Sequence, residues 1–109
     1  MELLRYTAFS TDPSGGNPAG VVLDAGDLDP GQMQQIAADV GFSETAFLTP
    51  TGSNTATVRY FAPIAEVAFC GHATIASAVA WARRSGTGAL TLDSAAGVIE
   101  VSTAPGSGH

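Results

Sequence analysis

The sequence predicts an α+β domain in which short strands wrap a central helix. Three observations carry that reading. Runs of strand length, alternating or apolar, are interleaved with two helical segments. The first helical segment, residues 29–41, gathers its apolar residues on one face. The second, His72 to Arg84, is apolar nearly all the way round, and in a chain of 109 residues only strands wrapped about it can bury it on every side.

The elements follow in order. Residues Leu3 to Ser10 alternate and read as a first strand. Thr11-Asp12-Pro13-Ser14-Gly15-Gly16-Asn17-Pro18 is a dense run of turn formers, hence a loop. Gly20 to Asp24, with Val21, Val22 and Leu23, suits a buried strand. Asp29 can cap the helix that follows, Pro30 fits its first position, and Gln32 completes a spacing like that of a capping box. Met33, Ile36, Ala37 and Val40 then share a face, and Gly41 sits where a left-handed stop is wanted. A third strand, Glu44 to Thr49, is expected to end at Pro50. After the turn Thr51-Gly52-Ser53-Asn54, a fourth strand sets Ala56, Val58 and Tyr60 on one face, and Pro63 closes it.

In the second helix Ala73, Ile75, Ala76, Ala78, Val79, Ala80, Trp81 and Ala82 go nearly all the way round. Gly86-Thr87-Gly88 breaks it, and Leu90 to Ser94 with Val98 to Ser102 read as a hairpin around Ala95-Ala96-Gly97. Residues 1–103 thus make one domain, and 104–109 have the composition of a flexible tail.

Composition narrows the function classes. Charged residues are 13% of the chain, against roughly 25% in an average domain. So little charge leaves apolar surface for a partner to cover. The net charge is −6, with four basic residues, all arginine. No basic stripe exists to displace counterions from phosphates, so nucleic acid is not expected as a partner. The most apolar stretch, Ala73 to Ala82, is too short to cross a bilayer, and Met1-Glu2-Leu3-Leu4-Arg5-Tyr6 is not a secretory signal. A single cysteine, Cys70, excludes an internal disulfide and a cysteine-based zinc site. These features read as a soluble, acidic, cytoplasmic domain.

Three segments can carry chemistry. In Ser43-Glu44-Thr45-Ala46-Phe47 an acid opens a strand, where it is either a solvated junction residue or a general acid–base group at a partly buried edge. In Phe69-Cys70-Gly71-His72-Ala73-Thr74 a strand runs into a helix. The free amides of a helix start bind anions, and Gly71 lets a ligand approach the backbone closely. Cys70 would there have its thiolate favoured by the helix dipole, and His72 can serve as a neutral donor or as an acid. The same residues can also be a buried Cys, a tight-turn Gly and a structural His. One His and one Cys do not make a metal site. Gly15-Gly16-Asn17-Pro18 either lies over a ligand or turns a corner, and without a following Lys-Ser or Lys-Thr it is no phosphate-binding loop.

Taken in order, Gly16-Asn17-Pro18 after a first strand, Ser43-Glu44-Thr45-Ala46-Phe47, Arg59-Tyr60-Phe61-Ala62-Pro63 with Glu66, and Cys70-Gly71-His72-Ala73-Thr74 opening an apolar helix resemble the N-terminal half of PhzF-like proteins, the phenazine-biosynthesis isomerase family. The resemblance runs from about Leu3 to Val101. It implies one lobe of a diaminopimelate-epimerase-like fold, a curved and mostly antiparallel sheet around a central helix, with the active site in a cleft between two such lobes. It also implies a proton shift on a small carboxylated metabolite without cofactor or metal. Glu44 would be the general base, Asn17, Gly71 and His72 would bind substrate, and Cys70, in the place of an acid–base residue of the related epimerases, is the second catalytic candidate.

Full-length members are more than twice as long, and their second lobe carries a Glu-Asp-Pro-x-Thr-Gly-Ser motif that these 109 residues lack, together with the return strand that finishes the first lobe. The resemblance therefore implies a second lobe from a partner chain or a homodimer mate. The rival expectations are a non-catalytic relic lobe that binds small molecules or proteins, and a self-associating pseudo-enzyme.

Overall fold

The computed structural model describes residues 3–8 and 17–103, with side chains outside the description at residues 5–8, 17 and 18. Along the chain lie β1 (Leu4–Ala8), β2 (Asn17–Val22), α1 (Pro30–Val40), β3 (Glu44–Gly52), β4 (Thr55–Phe61), β5 (Glu66–Val67), α2 (Gly71–Ser85), β6 (Gly88–Ser94) and β7 (Gly97–Thr103). One sheet takes all the strands in the order β1-β2-β3-β4-β6-β7, with the two-residue β5 also on β4. Four pairings are antiparallel, and two, β2 with β3 and β4 with β6, are parallel. A parallel joint needs a crossover, and each is spanned by a helix, α1 for the first and α2 for the second.

The two helices cover opposite faces of the sheet. Side chains alternate along a strand, so Ala19 and Val21 of β2, Ala46 and Leu48 of β3, and Ala56, Val58 and Tyr60 of β4 face one way. They pack with Leu90 and Leu92 of β6 onto Ala73, Ala76, Ala80 and Trp81 of α2. On the other face Val22, Phe47 and Phe61 pack onto Met33 and Ala37 of α1. Burying each of the larger side chains stabilises the fold by about 1.5–3 kcal/mol. Alanine dominates the inner face of α2 because strands curve around it on several sides and leave little radial space.

Local signals place α1. Asp29 accepts the Gln32 N–H at 2.8 Å and Gln32 Oε1 accepts the Asp29 N–H at 2.9 Å, a complete capping box with Pro30 just inside. Gly41, at φ 71°, ends the helix and donates to the Ala37 carbonyl. Gln34 donates to the Ala62 and Pro63 carbonyls, tying α1 to the end of β4.

Several expectations need correction. Asn17 and Pro18 are strand, paired with Ala8 and Thr7, where the sequence read a loop; residues 9–16 and the tail 104–109 lie outside the described residues. β3 continues through Pro50 to Gly52, because β2 flanks it only as far as Phe47 and an edge tolerates proline. β5 is not visible in the sequence pattern. α2 is not buried all round: Ala73, Ala76 and Ala80 are buried, but Ile75 is 40% exposed and Val79 is half-buried. The uncovered stripe exists because β1 and β7 are the ends of an open sheet. Among the described residues no helix is long and apolar enough to cross a membrane.

Candidate active site

Glu44 is the first residue of β3, three positions after the Gly41 stop of α1. It is in phase with Ala46 and Leu48, which face α2, so its side chain leaves the strand on the α2 side. Cys70 is the N-cap of α2, in extended backbone at φ −145° and ψ 117°. Its thiol donates to Glu44 Oε1 with Sγ at 3.1 Å, across 26 residues of sequence. Both residues are half-buried. Two of the sequence-predicted site residues are thus one contact.

Burial is the largest influence on the Cys70 thiol and pushes its pKa up, and the adjacent Glu44 carboxylate adds to the rise. The backbone amides of Ala73 and His72 pull the other way, though the sulfur makes no capping hydrogen bond with the helix start. The net shift is upward, which corrects the expectation of a dipole-favoured thiolate: desolvation and a neighbouring negative charge outweigh the amides. At neutral pH Cys70 holds its proton and Glu44 accepts from it.

A raised thiol binds its proton more tightly folded than unfolded, so its contribution is intact below the ordinary value of 9.0 and is lost as pH rises through the folded value. Urea unfolding should show stability falling across that window, and Cys70→Ser should remove this part of the alkaline limb. Tyr60, raised from 10.0 chiefly by burial, keeps a further slope at higher pH. An alkaline limb identical in Cys70→Ser would contradict the assignment.

Gly71 and His72 form the first turn of α2 beside this pair, Gly71 exposed and His72 half-buried. A Cβ at Gly71 would meet nothing closer than Phe69 Cε2 at 3.9 Å, and its φ is not left-handed. Neither packing nor backbone conformation within this chain requires glycine there, while a ligand brought close to the helix-start amides would. Asn17 starts β2, two residues before Ala19, the register partner of Glu44; its side chain is outside the description.

Behind the pair lies a connection that the sequence reading missed. The Tyr60 hydroxyl is 2.6 Å from Thr74 Oγ1, and Thr74 Oγ1 donates to the Cys70 carbonyl at 2.8 Å. Arg59 and Glu66 belong elsewhere: they form a bidentate pair at 2.8 and 2.7 Å on the exposed surface, with Glu66 lowered and Arg59 raised by their mutual hydrogen bond. Such a pair contributes about 0–1 kcal/mol. They line a groove of about 580 Å³ between β5 and β6 that includes none of Glu44, Cys70, Gly71 or His72. Among the described residues no three His, Cys, Asp or Glu side chains cluster as metal ligands would.

The phenazine biosynthesis-like protein family, PhzC-PhzF, matches residues 6–109. The chain belongs to that family. An uncharacterized isomerase of Deinococcus radiodurans is 48% identical over an alignment of 102 positions that covers 89% of this chain and 33% of the relative. The trans-2,3-dihydro-3-hydroxyanthranilate isomerase of Pseudomonas fluorescens is 39% identical over 93 residues, 84% of this chain and 34% of that protein. The crystal structure of a PhzF-family phenazine biosynthesis protein from Enterococcus faecalis superposes with a TM-score of 0.83 at 33% identity, covering 94% of this chain and 40% of that one. The chain therefore spans about a third of the length of the curated relatives it matches. The α+β architecture, a curved mixed sheet around α2, is shared with that family structure over the superposed part.

Proposed function

We propose that this PhzF-family chain is one lobe of an isomerase that moves a proton on a small carboxylated metabolite by general acid–base catalysis. The Cys70–Glu44 contact at the first turn of α2 is the observation that carries the reading. A carboxylate held by a protonated thiol is a fixed base: Glu44 takes a proton from one substrate carbon and returns it to another, so the group ends as it began. Cys70 stays protonated, fixes the carboxylate and can serve as the alternative acid. The substrate carboxylate is received by the free amides at Gly71 and His72, which a helix start offers to anions. This needs no redox step and no electron sink beyond the substrate, so a cofactor or metal is not required. The hydroxyanthranilate isomerase of Pseudomonas fluorescens supports the substrate class. A single free thiol on an acidic chain suits the cytoplasm.

Return of the proton demands a site closed to bulk water, and the pair here is open on one side. A second lobe, from a partner chain or a homodimer mate, closes it. The uncovered stripe of α2 with Ile75 and the nearby Phe69, 51% exposed, is the surface that such a lobe would cover. As a monomer the 109-residue chain is expected to give no turnover of trans-2,3-dihydro-3-hydroxyanthranilate, and at high concentration it should self-associate in sedimentation. Supplying a second lobe should restore turnover, read by NMR as conversion of that substrate to its isomer. No conversion in the two-lobe form would mean a non-catalytic binding lobe, and a clean monomer at high concentration would end the homodimer version.

A further inference from the structure

We infer that Tyr60 and Thr74 are positioning residues for the Cys70–Glu44 pair, acting through a buried hydrogen-bond chain that sets the direction of the Cys70 side chain. The inference rests on the proposed catalytic role of that pair. Thr74 has one hydroxyl proton, and it goes to the Cys70 carbonyl, since a carbonyl can only accept. The 2.6 Å contact between Tyr60 and Thr74 must then have the phenol as donor. The Cys70 carbonyl also takes the Thr74 N–H at 3.0 Å, the first backbone bond of α2. Two bonds from one residue, with a phenol locking the hydroxyl, fix the peptide that leaves Cys70, and with it the Cα–Cβ direction from which the thiol reaches Glu44.

Ordinary packing does not ask for this. Tyr60 is 1% exposed and Thr74 is 4% exposed, in a core built mostly from aliphatic side chains and alanine with Trp81, where the buried Ser77 hydroxyl is already spent on the Ala73 carbonyl. A phenylalanine would fill the Tyr60 site without a polar atom to satisfy. The hydroxyls buried there do two things: they satisfy each other and they hold the N-cap. Phe69 closes the site from outside, edge-on to the Tyr60 ring at 6.1 Å. Among the described residues, the ionisable groups facing Cys70 from other elements are Glu44 of β3 and Tyr60 of β4, with His72 on its own helix.

Because Cys70 is the single cysteine, alkylation by iodoacetamide reports on it alone, and the midpoint of the rate against pH is its pKa. Glu44→Gln should lower that midpoint. Tyr60→Phe, which removes an uncharged donor, should lower it too, because the thiol is no longer aimed at the carboxylate. Thr74→Val should behave like Tyr60→Phe, and Thr74→Ser should restore the parent midpoint. In the Glu44→Gln background Tyr60→Phe should add nothing.

Each other outcome decides the matter. An equal shift from Tyr60→Phe in both backgrounds means general loosening and overturns the positioning role. A midpoint moved by Glu44→Gln but by neither Tyr60→Phe nor Thr74→Val overturns the relay and leaves the pair standing. A midpoint that Glu44→Gln leaves in place overturns the pair and the relay together. Should Tyr60→Phe fail to fold, the Thr74→Val and Thr74→Ser comparison carries the same test.

Discussion

Replacing Glu44 by Gln in the protein completed by a second lobe is expected to lower kcat by about 10²–10⁴-fold, the range a positioned general base supplies. Gln keeps the shape of Glu and still accepts through its amide oxygen from the Cys70 thiol, which now donates at 3.1 Å to a carboxylate. The fold and the substrate cradle at Gly71 should survive, so KM should change far less than kcat. Cys70→Ser is the matched control. If Glu44 is the base, the serine hydroxyl still donates to it and the loss is smaller than for Glu44→Gln. If Cys70 is itself the acid of an epimerase-like mechanism, the order of the two losses reverses, because a serine hydroxyl is a far weaker acid than a thiol. Equal rates for Glu44→Gln and the parent would remove Glu44 from the chemistry altogether.

Features of the fold that depend on neighbours in sequence were legible, and those that depend on closure in space were not. The capping box at Asp29, the Gly41 stop and the hairpin between β6 and β7 are each specified within a few residues, and each is where the pattern put it. The parallel joint of β2 with β3 depends on which strands meet. Its signal was present in Val21 and Val22, adjacent residues that are both fully buried, as in a strand covered on two faces. The open stripe on α2 could not be read from its apolar circumference, because hydrophobicity states what would gain from burial and not what is available to bury it.

The candidate site divides the same way. The Cys70–Gly71 junction is a local strand-to-helix signal, and the residues that match the family motifs at Glu44, Gly71 and His72 were named from the sequence. Their proximity was not derivable from either motif alone. Alternation along β3 held part of it: once Ala46 and Leu48 are assigned to the helix side, Glu44 must join them. Tyr60 was read as a core position beside Ala56 and Val58 and as part of the Arg59-Tyr60-Phe61-Ala62-Pro63 segment, with no role for its hydroxyl. Its phenol, which a buried tyrosine must satisfy, was the available pointer to Thr74.

Phe47→Ala is expected to cost about 3–5 kcal/mol, the usual loss for emptying a buried aromatic site. Set against a total stability of about 5–15 kcal/mol, this moves the urea midpoint sharply or unfolds the chain. Phe47 is 1% exposed and meets Phe61 edge to face, with ring centroids 5.5 Å apart and planes at 87°. With Val22, Met33 and Ala37 these rings fasten α1 to the face of the sheet opposite α2. Strand alternation separates the consequences. Phe47 is out of phase with Glu44 on β3, so its cavity opens on the α1 side and should leave the Cys70 alkylation midpoint unchanged while the chain remains folded. Phe47→Leu keeps most of the volume and should cost clearly less. Stability and the thiol midpoint are thus independent readouts of the two faces. A Phe47→Ala protein within about 1 kcal/mol of the parent would show that the outer cluster does not anchor α1. A folded Phe47→Ala protein with a displaced thiol midpoint would show that the two faces are coupled through β3 and do not respond separately.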